Sequence, residues 1–598
     1  MIKQHLEKSL HTAIDSLVEG GVFNKEAVDA LSAMAISRSK DRKFGDFALN
    51  IALILAKSQK KPPQEVARIL QQELAKDQRT YEHVEIAGPG FLNVTLSDEV
   101  LSKVISHVAT LGISYGKWPK NNKKALVEFV SANPTGGLHL GHARGAFMGD
   151  AVARVLEAAG YDVVREFYIN DCGNQIETLA RTIHKRYREL FGESITIEPG
   201  EYPGEYVIDI ARALKDLHKD RWLHEPESVW LKPISQFGID YNLSLIRRSL
   251  DRVDIHFDSW FSEQTLHTDG HLDRLLKVYH DRNMLYDAVV AEGVEGKVRR
   301  EESKASKYAH LQEGGLFLRT KQYGDDEDRI VQRKDGRFVY LTADLAYHHE
   351  KYERGFDLII DVLGGDHAGH MARIKAGMAA LGHDPEKLKF VIVQIVRLLK
   401  GGSEVRFSKR SGQVVGLDDL IDEVGQDVAR FVFLMRSANA QFDLDIDVVT
   451  KNSQDNPVYY VQYGHARMAT LLNKACQEHG IEIDAQRFDA ALQKLLILPE
   501  ERELVLRVSE LDEVVQEAAN VLEPHKLIYF CHELIKIFHT YFTKYRSSEK
   551  MISSDKEKTE ARLALVFAVK QSIFNALNIL GISAPDYMEM PKRDDEGN

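Results

Sequence analysis

Residues 128–144 read EFVSANPTGGLHLGHAR, and the fold is decided by how this stretch is taken. Just before it, residues 125–130 form a β-branched apolar run of strand length. A turn follows, Asn133-Pro134-Thr135-Gly136-Gly137, in which proline fixes φ and two glycines allow close backbone approach. Then Leu138-His139-Leu140-Gly141-His142 leads into a helix predicted over 143–159 and ended by Gly160. Strand, glycine turn and helix together turn free N–H groups and a positive helix end toward a phosphate. Two histidines at the helix head can donate to phosphate oxygens, and Gly141 leaves room for a flat ring. The competing reading is a His-x-x-His metal site.

Outward from this stretch, residues 121–400 alternate between strand and helix, which implies a parallel α/β sheet. Strands are expected at 125–130, 163–169, 358–363 and 390–396. Ligands in such sheets sit beyond the carboxyl ends of the strands. There the chain carries the Asn133 turn, Asn170-Asp171-Cys172-Gly173-Asn174-Gln175, and Gly364-Gly365-Asp366-His367. Between about 178 and 288 the strand pattern gives way to helices, read as an insertion. Asp325-Asp326-Glu327-Asp328 reads as a solvated acidic loop. GGSEVRFSKRSGQVVG, residues 401–416, is a glycine-bounded basic loop after the last strand, and from Leu417 the periodicity is almost wholly helical. Residues 1–115 read as a small α+β unit. It has a helical stripe of Leu6, Leu10, Ile14, Leu17 and Val18, a helix over 46–58, one carrying Val66, Ile69, Leu70 and Leu74, and a strand over 91–96.

Composition sets outer bounds. A chain of 598 residues exceeds one ordinary core, and 44% hydrophobic with 28% charged residues is ordinary for a globular protein. No apolar run reaches membrane-spanning length, and MIKQHLEKSL lacks a secretory core. Cys172, Cys476 and Cys531 lie too far apart for a disulfide framework or a cysteine zinc site. A net charge of −12 gives no bulk attraction for nucleic acid, so RNA contact would need local basic patches.

The stretch Leu138–His142 resembles the first nucleotide motif of class I aminoacyl-tRNA synthetases, His-x-Gly-His, and residues 406–410 resemble the second, Lys-Met-Ser-Lys-Ser. In the second, Arg406 replaces the first Lys, Phe407 the Met and Arg410 the last Ser, while Lys409 stands at the second Lys. FGDFALNIA (44–52) and AGPGFLNVTL (87–96) are similar to the N-terminal domain of arginyl-tRNA synthetases. Residues 315–352, NPVYYVQYGHARMATLL (456–472) and LGISAPDYM (580–588) are also similar to that family. Asp427-Val428-Ala429-Arg430 resembles the element for which the family's C-terminal domain is named. The chain is identified as a member of this family, of bacterial type.

The resemblance implies an α/β fold: a Rossmann-like parallel-sheet catalytic domain over 116–400, with an N-terminal α+β domain and a C-terminal all-α anticodon-binding helix bundle. The N-terminal domain, 1–115, contacts tRNA; 401–455 holds the basic loop and connecting helices; 456–598 is the anticodon-binding domain. The implied activity is ATP-dependent ligation of L-arginine to tRNA(Arg) through an arginyl-adenylate. His139, His142 and Lys409 are the implied catalytic residues. The ATP-binding set is Ala132, Asn133, Pro134, Thr135, Gly136, Gly137, Leu138, His139, Leu140, Gly141, His142, Asp366, His367, Ser408 and Lys409. Arginine falls to Glu128, Asn133, Tyr340 and Asp344, the last two meeting on one face if 340–344 is a helical turn. Mg²⁺ arrives with ATP, no structural zinc is expected, and the partners are tRNA(Arg), arginine and ATP. A cytoplasmic monomer without membrane contact is expected. Two other readings are a metal hydrolase using His139, His142, Asp366, His367 and His370, and a non-catalytic RNA-binding relative.

Overall fold

The structure is a computed structural model, and it describes residues 1–29, 35–39, 41–288, 314–365, 369–404, 416–451, 453 and 455–589. Two compact units divide the chain: Pro119–Lys451 with Ala519–His525, and Met1–Trp118 with Asn452–Ala518 and Lys526–Asn598.

The first unit is built on a five-stranded sheet. Its elements in chain order are β1 (Lys124–Glu128), α1 (Leu140–Ala158), β2 (Asp162–Ile169), β3 (Ser259–Ser262), α2 (Glu263–Thr268), α3 (Tyr340–Glu353), β4 (Leu358–Gly364), α4 (Met371–Ala380) and β5 (Leu388–Val393). The strands lie in the order β3-β2-β1-β4-β5, all parallel. Ala125, Leu126 and Val127 are fully buried, as expected of a central strand covered on both faces. The order reverses at β1, so a ligand crevice opens between β1 and β4. α1 lies hard against the chain leaving β1, because a β-carbon on Gly149 would sit 2.2 Å from the Phe129 ring.

The expected strand pairing of 125–130 with 358–363 holds, with Leu358 opposite Ala125 and Asp361 opposite Glu128. Three readings change. First, the stretch read as helical insertion also contains β3, which pairs with β2 from Glu166–Ser259 to Ile169–Ser262. Its helices Asn174–Glu189, Glu205–His218 and Glu227–Asp251 share a separate core of Leu179, Ile183, Tyr187, Ile210, Leu214 and Trp230. Second, 390–396 is not one strand: β5 stops at Val393, and Val396–Lys400 pairs in another small sheet with Phe442–Asp445, a strand inside the region read as almost wholly helical. Third, the acidic run is not simply solvated. Arg329 gathers Asp325 at 2.8 Å together with Asp326 and Glu327.

The second unit carries a four-stranded antiparallel sheet, with strands in the order Ile36–Arg38, Phe47–Leu49, Phe91–Leu96, Tyr81–Ala87. Helix Ile2–Glu19 buries Leu6, Leu10, Ile14 and Leu17 and ends at Gly20, as the stripe predicts. The helix read over 46–58 starts only at Ile51, because Phe47–Leu49 pairs with Leu92–Val94. The C-terminal helices Pro457–His479, Pro499–Val508, His525–Lys544 and Lys556–Ile579 complete the unit. Glu501, itself buried, binds Arg562 at 2.9 Å and Tyr541 at 2.7 Å. Asp46 accepts from Arg502 at 2.6 Å and from the Leu96 N–H at 2.7 Å, joining the sheet to these helices. Arg38 does the same through Glu503 and Glu510.

Candidate functional site

β1 ends one residue before an unusual corner. Val130 and Ser131 adopt φ of +65° and +40°, in the left-handed region where a β-branched side chain is strained. Such a residue costs about 1–3 kcal/mol and persists only where its surroundings impose it. Here the Ser131 hydroxyl donates to Glu128 Oε1 at 2.9 Å and accepts from the Tyr168 N–H at 3.1 Å. The strand expected to reach Val130 therefore stops short, and the corner throws the next residues across the strand ends.

These residues are clamped by main-chain contacts. Ala132, Pro134 and Leu138 are buried. The Pro134 carbonyl accepts from Asn242 at 3.0 Å and the Thr135 carbonyl from Tyr206 at 2.6 Å. Tyr206 also packs on Gly136. Asn133 and Gly137 are exposed, and Asn133 donates to Gln175 at 3.1 Å.

His139 is the N-cap of α1 and His142 its third residue. His139 Nδ1 accepts from the Gly141 N–H at 3.1 Å, and His142 Nδ1 from the His139 N–H at 3.3 Å. The rings stack at 3.8 Å between centroids. A ring nitrogen that accepts an N–H has no proton of its own, so both neutral imidazoles carry theirs on Nε2. Burial holds both below the usual range, His142 to about 4, with His139 adding to the effect there. The helix head thus offers two neutral Nε2–H donors at the positive end of the helix. Gly141 has a second use: a β-carbon would lie 2.9 Å from His139 Cε1 and push that ring out of its cap. Leu140 opens the helix.

The basic loop lies outside the described residues, and with it Ser408, Lys409, Arg406, Phe407 and Arg410; Asp366 and His367 do too. The loop's exit is described. Gly416 forms an antiparallel bridge with His139, and the Leu417 N–H donates to the Leu138 carbonyl at 3.0 Å. The next residue on α1 after Ala143, Arg144, is buried and donates to the carbonyls of Gln394, Ala440 and Ser437 at 2.8, 2.7 and 2.8 Å. Burial holds its guanidinium below the usual range, to about 10.

Across the crevice, Tyr340 and Asp344 stand at i and i+4 on α3, as expected. Tyr340 is 87% exposed, so it does not yet wall anything. Asp344 is half-buried and accepts from His370 Nε2 at 2.8 Å. Glu128 departs from the expectation of a carboxylate left open for a guanidinium. Its Oε2 lies 2.5 Å from Lys351 Nζ and its Oε1 takes the Ser131 hydroxyl.

The sequence missed Glu263, the first residue of α2. It is 8% exposed, meets the Tyr168 hydroxyl, and has its carboxyl pushed up by burial, with Asp344 and Asp171 adding to the rise. Asp171 sets its place, accepting from Ser262 Oγ at 2.5 Å and the Gln264 N–H at 3.0 Å. Tyr168, Phe261 and Tyr347 pack beside it, with centroids 4.6 and 4.7 Å from Tyr347. A signal existed, since Ser262-Glu263 sits at the carboxyl end of a strand, but β3 was hidden in the helical reading. Two acids beside an aromatic wall suit a planar cation with several donors.

Among the described residues His349, Glu353 and His383 bring ligand atoms within 4.8 Å of one another, but the two imidazoles already share a 2.9 Å hydrogen bond. This trio lies toward the far end of α3 from Asp344.

Comparison with known proteins fits this geometry. The arginyl tRNA synthetase N terminal domain model matches residues 1–96, and the class I tRNA synthetase (R) catalytic domain matches 104–200 and 256–449. The DALR anticodon binding domain matches 461–588. The Asp427–Arg430 element therefore falls within the catalytic match, where Arg430 is buried and binds Asp150 and the Val253 carbonyl. An arginine–tRNA ligase of an Anaeromyxobacter species is 41% identical over 577 residues, 94% of this chain and 95% of the relative. One from Magnetococcus marinus is 38% identical over 592 residues, 98% of this chain and 100% of the relative. In fold, the Thermus thermophilus arginyl-tRNA synthetase superposes with a TM-score of 0.70 at 21% identity, covering 98% of this chain and 100% of that one.

Proposed function

The chain belongs to the arginyl-tRNA synthetase family, and on that premise we propose how its residues charge tRNA(Arg) with arginine. The arginine carboxylate bonds to the α-phosphorus of ATP as the bond to pyrophosphate breaks. The ribose 2′-hydroxyl of the tRNA then attacks the adenylate carbonyl, and AMP leaves with the electron pair. The first step needs no base, because the carboxylate is already ionised. It needs alignment and a fixed field for charge growing on phosphate oxygens.

The observation that carries this reading is the pair of capped, neutral histidines at the head of α1. Donors held in place by the backbone do not reorganise as charge develops. His139 and His142 give Nε2–H bonds to phosphate oxygens, the positive end of α1 adds its field, and Lys409 closes on the pyrophosphate from the loop tethered at Gly416. Ala132, Asn133, Pro134, Thr135, Gly136, Gly137, Leu138, Asp366, His367 and Ser408 shape the nucleotide seat. Mg²⁺, carried by the nucleotide, neutralises the leaving pyrophosphate. Residues 129–142 contain no carboxylate side chain, which fits a metal held by phosphates rather than by this cradle.

Asp344 and Glu263 take the guanidinium, Tyr340 folds over it, and Asn133 holds the α-amino end. Glu128 acts from beneath, through Ser131 and Lys351. Residues 1–115 and 456–598 bind tRNA, the chain acts as a cytoplasmic monomer, and arginine activation waits for tRNA. ATP–pyrophosphate exchange tests the whole reading: rapid exchange with arginine and tRNA(Arg) together is expected. No exchange with arginine, or equal exchange with lysine, refutes it.

A further inference from the structure

Lys351 has no exposed surface, and the chemistry above gives it no part beyond its contact with Glu128. A buried ammonium persists only where its charge is met. It is met by Glu128 and Asp361, which stand in register on the neighbouring parallel strands β1 and β4. Nζ lies 2.5 Å from Glu128 Oε2 and 2.6 Å from Asp361 Oδ1, and 4.2 Å from the centre of the Tyr347 ring. Such a cluster is a poor source of stability, because apolar residues of the same volume often do as well. What it supplies is fixed geometry.

Each carboxylate leads onward. Glu128 Oε1 holds the Ser131 hydroxyl at the left-handed corner that launches residues 132–139. Asp361 Oδ2 lies 2.7 Å from His348 Nε2, and His348 Nδ1 lies 2.7 Å from the Asp344 carbonyl. Both nitrogens of His348 face acceptor oxygens. A single ammonium therefore ties the nucleotide-side turn to the helical turn bearing Asp344.

We propose that Lys351 is a positioning residue for amino-acid activation, fixing the Asp344 turn relative to the corner at Val130 and Ser131. A guanidinium amino acid held by Asp344 is thereby placed with its carboxylate in line with the α-phosphate. The inference rests on the assignment of the guanidinium to Asp344. The charged and titratable groups facing Nζ are Glu128 from β1, Asp361 from β4 and Glu166 from β2, with His348 and Tyr347 from α3 itself. Glu166 is separately held by Arg354 at 2.7 Å and Tyr347 at 2.7 Å.

The test is Lys351→Met in the full chain, assayed by ATP–pyrophosphate exchange with tRNA from about pH 5 to 9. A misplacement near 1 Å costs on the order of a hundredfold in rate. The arginine KM should rise about tenfold and the rate fall about a hundredfold, while the ATP KM stays within about twofold. Without the ammonium, Glu128 and Asp361 hold one proton between them. The variant's rate should then fall as pH rises, more steeply than that of the wild type. A wild-type arginine KM, equal rises for both substrates, or a pH profile parallel to wild type overturns the proposal. If Lys351→Met does not fold, Lys351→Gln with Asp361→Asn removes one charge of each sign; a wild-type arginine KM there overturns it equally. Asp344→Asn, run alongside, separates the two claims. An unchanged arginine KM in Asp344→Asn refutes the guanidinium assignment, whereas a raised one beside an unaffected Lys351 variant refutes only the role of Lys351.

Discussion

His142 shows how much a single side chain does when the backbone fixes its tautomer. Removing its Nε2–H donor by His142→Ala should lower exchange by about two to three powers of ten, the usual loss for one preorganised charge-stabilising donor. His142→Asn keeps an acceptor for the His139 N–H and one donor, and should lose less. The acid side follows from the lowered pKa. Folded His142 titrates near 4, below the value near 6.5 of an unfolded histidine. The unfolded chain therefore takes the proton first. The stability this ring contributes is complete above about pH 6.5 and is lost as pH falls from there toward 4. Thermal melts between pH 7 and about 4.5 check this: the wild-type midpoint should fall more steeply than that of His142→Asn. Parallel curves would mean that the cap does not hold the ring neutral. Of these residues, the histidine pair was legible because two imidazoles around a glycine at a helix head have few other uses. Lys351, Asp361 and Glu263 were not. Asp361 and Glu263 are lone charges within or beside apolar runs and Lys351 sits in an ordinary polar helix stretch, so only the third dimension shows the partners that hold them. The corner at Val130 was misread for a related reason, since a β-branched residue after a strand argues for more strand until Ser131 and Glu128 are seen to hold it otherwise.

At the scale of elements, the positions of the main strands were the most legible part. β1, β2 and β4 are rich in β-branched and apolar residues and have turn signals at their ends, which identifies such strands. β3 has four residues, all half-buried, and carries almost no pattern of its own. It exists because β2 offers an edge. α1 is tied to the far side of the site by Arg144, whose guanidinium holds three carbonyls in the segment from β5 to the strand Phe442–Asp445. Arg144→Met keeps the bulk but strands those carbonyls, each costing about 1–3 kcal/mol if it stays buried. The melting temperature should drop by several degrees, and the ATP KM should rise because the strand leading into the basic loop loses its anchor. A destabilised variant with an unchanged ATP KM would confine Arg144 to a structural role.

For the whole molecule, the partition into two units decides how truncations behave. Deleting residues from 456 onward takes Arg502 from Asp46 and the Val508 carbonyl from the Tyr115 hydroxyl, which it accepts at 2.8 Å. Residues 1–118 would then be left with an uncovered face. The truncated chain should be cut by protease within 1–118 first, and should lose exchange. A chain of residues 119–451 alone should still bind ATP but not exchange pyrophosphate with arginine. Exchange at the full-length rate without tRNA would refute both the RNA role of the excised segments and their coupling to activation. The C-terminal aromatics set a limit on residue-level claims there: Phe538 and Tyr541 are core, while Arg467 lies over Phe542 at 4.2 Å.

The ion pairs and hydrogen bonds joining the two ends of the chain bear on how the protein is made. Asp46 and Arg502 are 456 residues apart, and Asn575 reaches back 463 residues to the Gly112 carbonyl. A ribosome delivers the first of these partners long before the second, at about 5–20 residues per second. For on the order of tens of seconds the nascent N-terminal segment must wait with apolar surface uncovered. During that interval it is a client for holding chaperones and a site for misassembly between neighbouring polysomal chains. Vectorial synthesis thus works against this topology, because the last helices must return to the first sheet before that surface is covered.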